Sequence, residues 1–101
     1  MVMAEVSIVP LGTGTPSVSR YVARAVKILR QEAVAYQLTP MGTVIEGELD
    51  TVLGLVRRMH ESGFDEEVQR VLTRITIDDR RDQPSSMDSK MRSVQRRLEE
   101  D

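Results

Sequence analysis

The sequence predicts an α+β sandwich ordered strand, helix, strand, strand, helix, strand, with one further helix at the C-terminal end. Three observations carry that reading. Apolar residues alternate with polar ones near both ends and the middle of the first eighty residues, they recur every three or four residues in between, and Gly, Pro and Asp punctuate the junctions.

Residues Ala4 to Leu11 open the series, with Val6 and Ile8 alternating against Glu5, Ser7 and Val9, which predicts a strand. The run from Gly12 to Ser17 ends it, and Thr15 before Pro16 fits an N-cap followed by proline in the first helical position. Beyond Val18, the residues Val22, Ala25, Leu29 and Ala33 make an apolar face flanked by Val26 and Ile28. Arg20, Arg24, Lys27 and Arg30 gather on the other side, so this helix is amphipathic. Tyr36 to Met41 and Thr43 to Leu49 read as neighbouring antiparallel strands joined around Pro40, Met41 and Gly42. Asp50 is expected to cap a second helix whose face is Leu53, Val56 and Met59, with Val52 and Leu55 beside it. Gly63 is the expected left-handed stop, and Phe64 is expected to fold back on the core. Val71 to Asp78 alternates again and gives the fourth strand. This order is the split βαβ unit repeated, a ferredoxin-like sandwich with a four-stranded antiparallel sheet and both helices on one face. A polar linker, Arg80 to Ser86, leads to Met87, Met91, Val94 and Leu98, the narrow seam of a third helix.

A chain of 101 residues fits a single domain, 1–101. Its 40% hydrophobic content argues against disorder, and a formal net charge of −2 gives no general attraction to nucleic acid. No run approaches the roughly 20 apolar residues that cross a bilayer, and no basic leader opens the chain, so no membrane role is expected. The absence of cysteine removes disulfides and thiolate chemistry and suits a reducing compartment, the cytoplasm by default. With only 3% aromatic residues the core is thin, and small thin cores gain stability by self-association.

Helices on one side leave the other side of the sheet open. Parity assigns Glu5, Ser7, Val9, Gln37, Thr39, Val44, Glu46, Arg74 and Thr76 to that side, and Val6, Ile8, Tyr36, Leu38, Ile45, Ile75 and Ile77 to the helices. Short hydroxyls, an amide, carboxylates and valines together suit a ligand pocket or a sheet-on-sheet contact between subunits. They equally suit a wet surface on which Glu46 and Arg74 form a cross-strand ion pair, worth about 0 to 1 kcal/mol. The third helix has no vacancy on its own domain, so its seam is expected to cover a neighbour.

Other chemistry is thinly signalled. The Gly12 to Ser17 loop before a helix suits an anion, yet it has neither the Lys-Ser/Thr pair of a P-loop nor a third glycine, and it reads equally as a tight turn. His60 sits at a helix end, where a cation complements the dipole. Glu46 and Glu48, at i and i+2, are imaginable as an acid and base pair, but one carboxylate facing a ring nitrogen or amine is the simpler role. Arg80, Arg81, Asp82 and Lys90 read as a solvated linker, and Arg96 and Arg97 as surface balanced by Glu99, Glu100 and Asp101. No metal-ligand or cofactor motif stands out. No nucleophile, base and orienting partner occur together, so no enzyme is expected.

Longer motifs say more. Ser7-Ile8-Val9-Pro10-Leu11-Gly12-Thr13-Gly14-Thr15-Pro16-Ser17-Val18-Ser19, Tyr36-Gln37-Leu38-Thr39-Pro40-Met41-Gly42-Thr43 and Val44-Ile45-Glu46-Gly47 resemble the YkoF-like thiamine-binding protein family, formerly a domain of unknown function. Ile77 to Asp82 and Lys90 to Val94 resemble its closing segment, so the likeness spans nearly the whole chain. The resemblance implies a ferredoxin-like fold pairing through its sheets, commonly a homotetramer built as a dimer of dimers. It also implies a site for thiamine or its hydroxymethylpyrimidine moiety, and no catalysis. Its matching positions are Ser7, Thr13, Thr15, Ser17 and Ser19 around the first loop, Gln37, Thr39, Met41, Gly42 and Thr43 at the hairpin, and Glu46. Glu46 and Thr39 would face a pyrimidine's amine and ring nitrogens, with Met41 against its flat surface. Tyr21, Tyr36 and Phe64 leave little aromatic surface for stacking. The expected function is therefore non-catalytic binding of a small molecule in a homo-oligomer; the alternative is an oligomeric scaffold without such a ligand.

Overall fold

The computed structural model describes residues 1–83 and 86–100. The part of the polar linker at 84 and 85, and Asp101, lie outside the described residues. Strands β1 (Val2–Leu11), β2 (Ala35–Thr39), β3 (Gly42–Gly47) and β4 (Arg70–Asp78) form one sheet of order β2-β3-β1-β4, antiparallel at every pairing. Helices α1 (Ser19–Gln31) and α2 (Leu49–Glu61) pack on its central strands, and α3 (Met87–Glu100) follows β4. The expected ferredoxin-like order is therefore the observed one.

Alternation fixes what each face carries. Ala4 stands opposite Ile45 and Ile77, and Val6 opposite Thr43 and Ile75. With Val2, Ala25, Leu29, Val52, Leu55, Val56 and Met59, the central members of this set make the core. Ile45, Leu29 and Val52 have no exposed surface at all. Removing such apolar area from water contributes about 25 cal/mol per Å² and is the main force holding the layers together. Ile75 and Ile77 face the same way yet stay 38% and 39% exposed, in keeping with the place of β4 at the edge of the sheet.

Several local expectations are corrected. The first helix starts at Ser19 after Val18, with no side-chain cap, so Thr15 and Pro16 belong to the loop. Glu48, not Asp50, precedes α2, and Asp50 lies in its first turn, where a carboxylate favours the helix dipole. Since β3 ends at Gly47, Glu46 and Glu48 do not share a strand face. Leu53 is 43% exposed, and the buried side of α2 is Val52, Leu55, Val56 and Met59. Gly63 is not left-handed; among the described residues, Ala33, with φ of 55°, is the non-glycine residue that is. A Cβ at Gly63 would stand 3.1 Å from a methyl of Val71, so the glycine serves close packing against β4. Phe64 remains 38% exposed, its ring edge-on to His60 with centroids 5.4 Å apart. His60 Nδ1 in turn meets Thr73 Oγ1 at 2.7 Å, a structural tie between α2 and β4.

One polar cluster fastens α1 to the loop before β4. Tyr21, buried, donates from its hydroxyl to Asp65 Oδ2 at 3.2 Å and accepts from Arg20 Nη2 at 2.8 Å, while Arg24 Nη1 lies 3.6 Å from the same carboxylate. Asp65 also accepts from the backbone N–H groups of Glu67 and Val68. The Glu67 bond is the main cause of a carboxyl pKa below its usual value, with Tyr21, Val68 and Arg24 acting in the same direction against partial burial.

The third helix differs in kind from the other two. None of its residues is buried, and Met91, Val94 and Leu98 are 55%, 56% and 69% exposed. Its first turns are held by reciprocal Ser86 and Ser89 hydrogen bonds and an ion pair from Lys90 to Asp78.

Candidate functional site

Strand β1 is paired unequally along its length. From Met3 to Val6 it has β3 on one side and β4 on the other; from Ser7 to Leu11 only β4 remains. Antiparallel geometry turns the N–H and C=O of alternate residues in that second half away from β4. Those groups border a cleft of about 240 Å³, whose lining includes Ser7, Ile8, Val9, Val18, Val22 and Met59 and the turn from Leu38 to Thr43.

The β2–β3 turn ends the pairing where it does. Thr39 Oγ1 donates to the carbonyl of Gly42 at 2.8 Å and accepts from the N–H groups of Met41 and Gly42 at 3.3 and 3.2 Å. Gly42 approaches β1 so closely that a Cβ there would stand 2.9 Å from the Val6 carbonyl oxygen. Only glycine fits without shifting backbone. On the opposite side, Gly12 and Gly14 adopt φ of 79° and 76° and lead the chain from β1 towards α1. Thr13 Oγ1 donates to the carbonyl of Thr15 at 2.8 Å, and Thr15 Oγ1 accepts from the Ser17 N–H at 3.3 Å.

The cleft opens along α1 into a groove of about 1280 Å³. One helix face forms its wall, carrying Ser19, Val22, Ala23, Val26, Lys27 and Arg30 at helical spacing, and Leu38, Thr39 and Pro40 stand across from it. The whole site is apolar in its walls, with hydroxyls and strand-edge backbone at one end and two cations at the other. A flat, weakly charged heterocycle suits the inner part.

Of the residues singled out from sequence, Ser7, Thr39, Met41, Gly42 and Thr43 line the cleft, and Ser17 and Ser19 line the groove with Thr39. Thr13 and Thr15 shape the loop, where their hydroxyls are engaged with the loop's own backbone. Gln37 and Glu46 lie on the open sheet face, opposite Val44 and Met3 respectively, and line neither space. The register confirms the polar set assigned to that face but sets aside the Glu46–Arg74 pair. Glu46 is level with Met3 and Arg74 with Ser7, about 13 Å apart along the strand. The same face also carries Met3, Leu11 and Leu72, the last 47% exposed, which makes it less polar than parity alone implied. Residues missed from sequence are Val18, Val22, Val26, Leu38 and Pro40. For Val22 and Val26 the signal was a second apolar face on α1, about a third of a turn from Tyr21, Ala25 and Leu29. Among the described residues, no group of three or more His, Cys, Asp or Glu side chains is placed to hold a metal, and no helix is long and apolar enough to cross a membrane.

Comparison with known proteins places these features in a wider set. A family model described as thiamine-binding protein matches residues 4–95. The UPF0045 protein YqgV of Bacillus subtilis is 47% identical over 98% of this chain and 99% of its own. A UPF0045 protein of Methanothermobacter thermautotrophicus is 39% identical over 97% and 100% respectively. The crystal structure of hypothetical protein MJ1052 from Methanocaldococcus jannaschii superposes with a TM-score of 0.84 at 36% identity, covering 92% of this chain and 94% of that one. A Thermotoga maritima structure described as a putative thiamine biosynthesis/salvage protein superposes with a TM-score of 0.76, covering 92% and 97%; at 17% identity it shows likeness of fold alone.

Proposed function

The chain belongs to the thiamine-binding protein family, and from that premise we propose that it binds thiamine, or the hydroxymethylpyrimidine part of it, without transforming it, and does so as a homo-oligomer. The observation that carries the reading is the half-paired strand β1. Its free edge at Ser7 to Val9 offers main-chain donors and acceptors to a cleft of about 240 Å³, room for one small heterocycle. A pyrimidine there meets hydroxyl and backbone groups along its edge and Val18, Val22, Leu38 and Met41 on its faces. Nothing in the lining supplies a matched acid and base, which is why binding is the favoured role. Ser7, Ser17, Ser19, Thr39, Met41, Gly42 and Thr43 contact ligand in this reading, and Thr13 and Thr15 hold the loop above it.

Gln37 and Glu46 have a different role in this reading. They lie on the open face, which we assign to a second copy of the chain. The stripe from Met87 to Leu98 runs about 17 Å along α3, and four strands span about 14 Å, so one helix crosses one sheet. Exchange of α3 between two copies would cover both open faces, and a pair of such dimers gives a tetramer. The cysteine-free composition supports a cytoplasmic setting. The scaffold alternative is favoured by one observation, that α3 and the open face need cover whether or not the cleft is filled.

Calorimetry and thermal shift with thiamine and with hydroxymethylpyrimidine distinguish the two. Ligand at a hundred times its dissociation constant stabilises by about 2.7 kcal/mol. Val22→Trp, which fills the cleft, is expected to abolish that gain, and Glu46→Gln to leave it unchanged. Absence of any shift in the wild-type protein, with the oligomer intact by light scattering, establishes the scaffold instead.

A further inference from the structure

The groove outside the cleft has a charge pattern that an unphosphorylated pyrimidine does not use. We infer that its ligand carries a phosphate monoester, held by Lys27 and Arg30; this deepens the binding role proposed above and rests on it.

Placement comes first. Lys27 and Arg30 share the groove-lining face of α1 with Val22 and Val26. At 1.5 Å rise per residue they stand about 8 and 12 Å along the helix from Val22, which lines both cleft and groove. A heterocycle seated against Val22 therefore directs a substituent past Val26 and brings its far end to the two cations. That is the reach of a ring bearing a short chain and a phosphate.

Charge comes second. The other arginines of α1's exposed side are engaged: Arg20 and Arg24 meet Asp65 and the Tyr21 ring. On α2, Arg58 meets Glu32 at 2.8 Å. Among the described residues, Lys27 and Arg30 have no carboxylate within 4.0 Å, and no acidic side chain lines the groove. In a chain of net charge −2, two unpaired cations at one end of an apolar groove are a local excess that fits an anion. A phosphate monoester carries about −1.5 to −2 charges and accepts from both an ammonium and a forked guanidinium. Free thiamine brings a cationic thiazolium and an uncharged hydroxyethyl group to that end, where no phosphate offsets the like charge.

The test titrates the full-length protein with thiamine, thiamine monophosphate and inorganic phosphate, in wild type and in the Lys27→Gln, Arg30→Gln double variant. Both positions are exposed, and circular dichroism checks that the variant is folded. Wild type is expected to bind the monophosphate at least about ten-fold tighter than thiamine, a difference of about 1.4 kcal/mol. That preference should shrink as salt rises from about 0.05 to 0.5 M, through screening. Inorganic phosphate should compete with the monophosphate, and the double variant should bind the two thiamine forms alike. Equal binding by wild type, or a preference that survives the double substitution, overturns the phosphate site and leaves the binding role standing. Failure of both thiamine forms to bind removes the two together.

Discussion

The two halves of β1 share a strand, an alternation and a partner in β4, yet one half makes core and the other borders a cleft. Ala4 and Val6 lie between two strands and Val2 beside β3, and each is at most 4% exposed. Ser7, Ile8 and Val9 keep β4 but lose β3, and all three remain partly exposed at the cleft. The difference teaches that the cleft is made by a strand pairing that ends early. β3 begins only at Gly42 and its pairing with β1 reaches no further than Val6, while β1 runs on to Leu11, so main-chain groups that a full sheet would consume are left without a strand partner.

Truncation on the two sides of that boundary should have unequal consequences. Ile45→Ala removes a side chain with no exposed surface opposite Ala4 and should cost about 2 to 5 kcal/mol in denaturant unfolding. Val22→Ala, on the cleft and groove wall, should cost about 1 kcal/mol or less, because its site is already open, while weakening ligand binding by several-fold. Equal stability losses would mean that the cleft is a packed part of the core. Gly42→Ala sits on the boundary itself. Its new methyl would press on the Val6 carbonyl oxygen, and displacing backbone there should cost about 1 to 3 kcal/mol and reduce affinity together. A variant as stable as wild type would show that the turn moves freely, and the boundary would lose its cause.

This boundary also explains what could be read from the sequence. The order of elements and the parity of both sheet faces were legible because Val6, Ile8, Ile45, Ile75 and Ile77 alternate without interruption, and a period of two fixes the face of every neighbour. The glycines and hydroxyls stood out as motifs, and the chain brings Ser7, Thr39, Met41, Gly42 and Thr43 to one cleft. The cleft itself was not legible. It depends on how far β1 outruns β3, a tertiary offset that no local pattern records. For the same reason parity gives Glu46 its face but not its distance from the turn. The helix caps misled because Thr15 uses its hydroxyl within the loop, a local alternative to capping open to any Ser or Thr.

The smallest expected effect concerns what keeps the far wall of the cleft in place. The N-cap Val18 and Val22 of helix α1 line the cleft, and the Tyr21–Asp65 contact ties that end of the helix to the loop before β4. Asp65 has a carboxyl pKa held below its usual value by the Glu67 backbone N–H first and by Tyr21, Val68 and Arg24 after it. A group whose folded pKa is depressed adds stability above its unfolded pKa, near 3.8, and loses it as the pH falls through the lower folded value. Stability attributable to this tie should therefore be constant at neutral pH and decline below about pH 4. Asp65→Asn should flatten that acid limb, visible as a smaller drop in melting temperature between pH 5 and pH 3. It should also loosen ligand binding at pH 7 slightly, whereas Ile45→Ala should shift the whole stability curve and leave its acid slope unaltered. An unchanged acid limb in Asp65→Asn would show that the α1 wall is held by Ala25 and Leu29 in the core alone, and the distinction between a packed half and an anchored half would reduce to packing throughout.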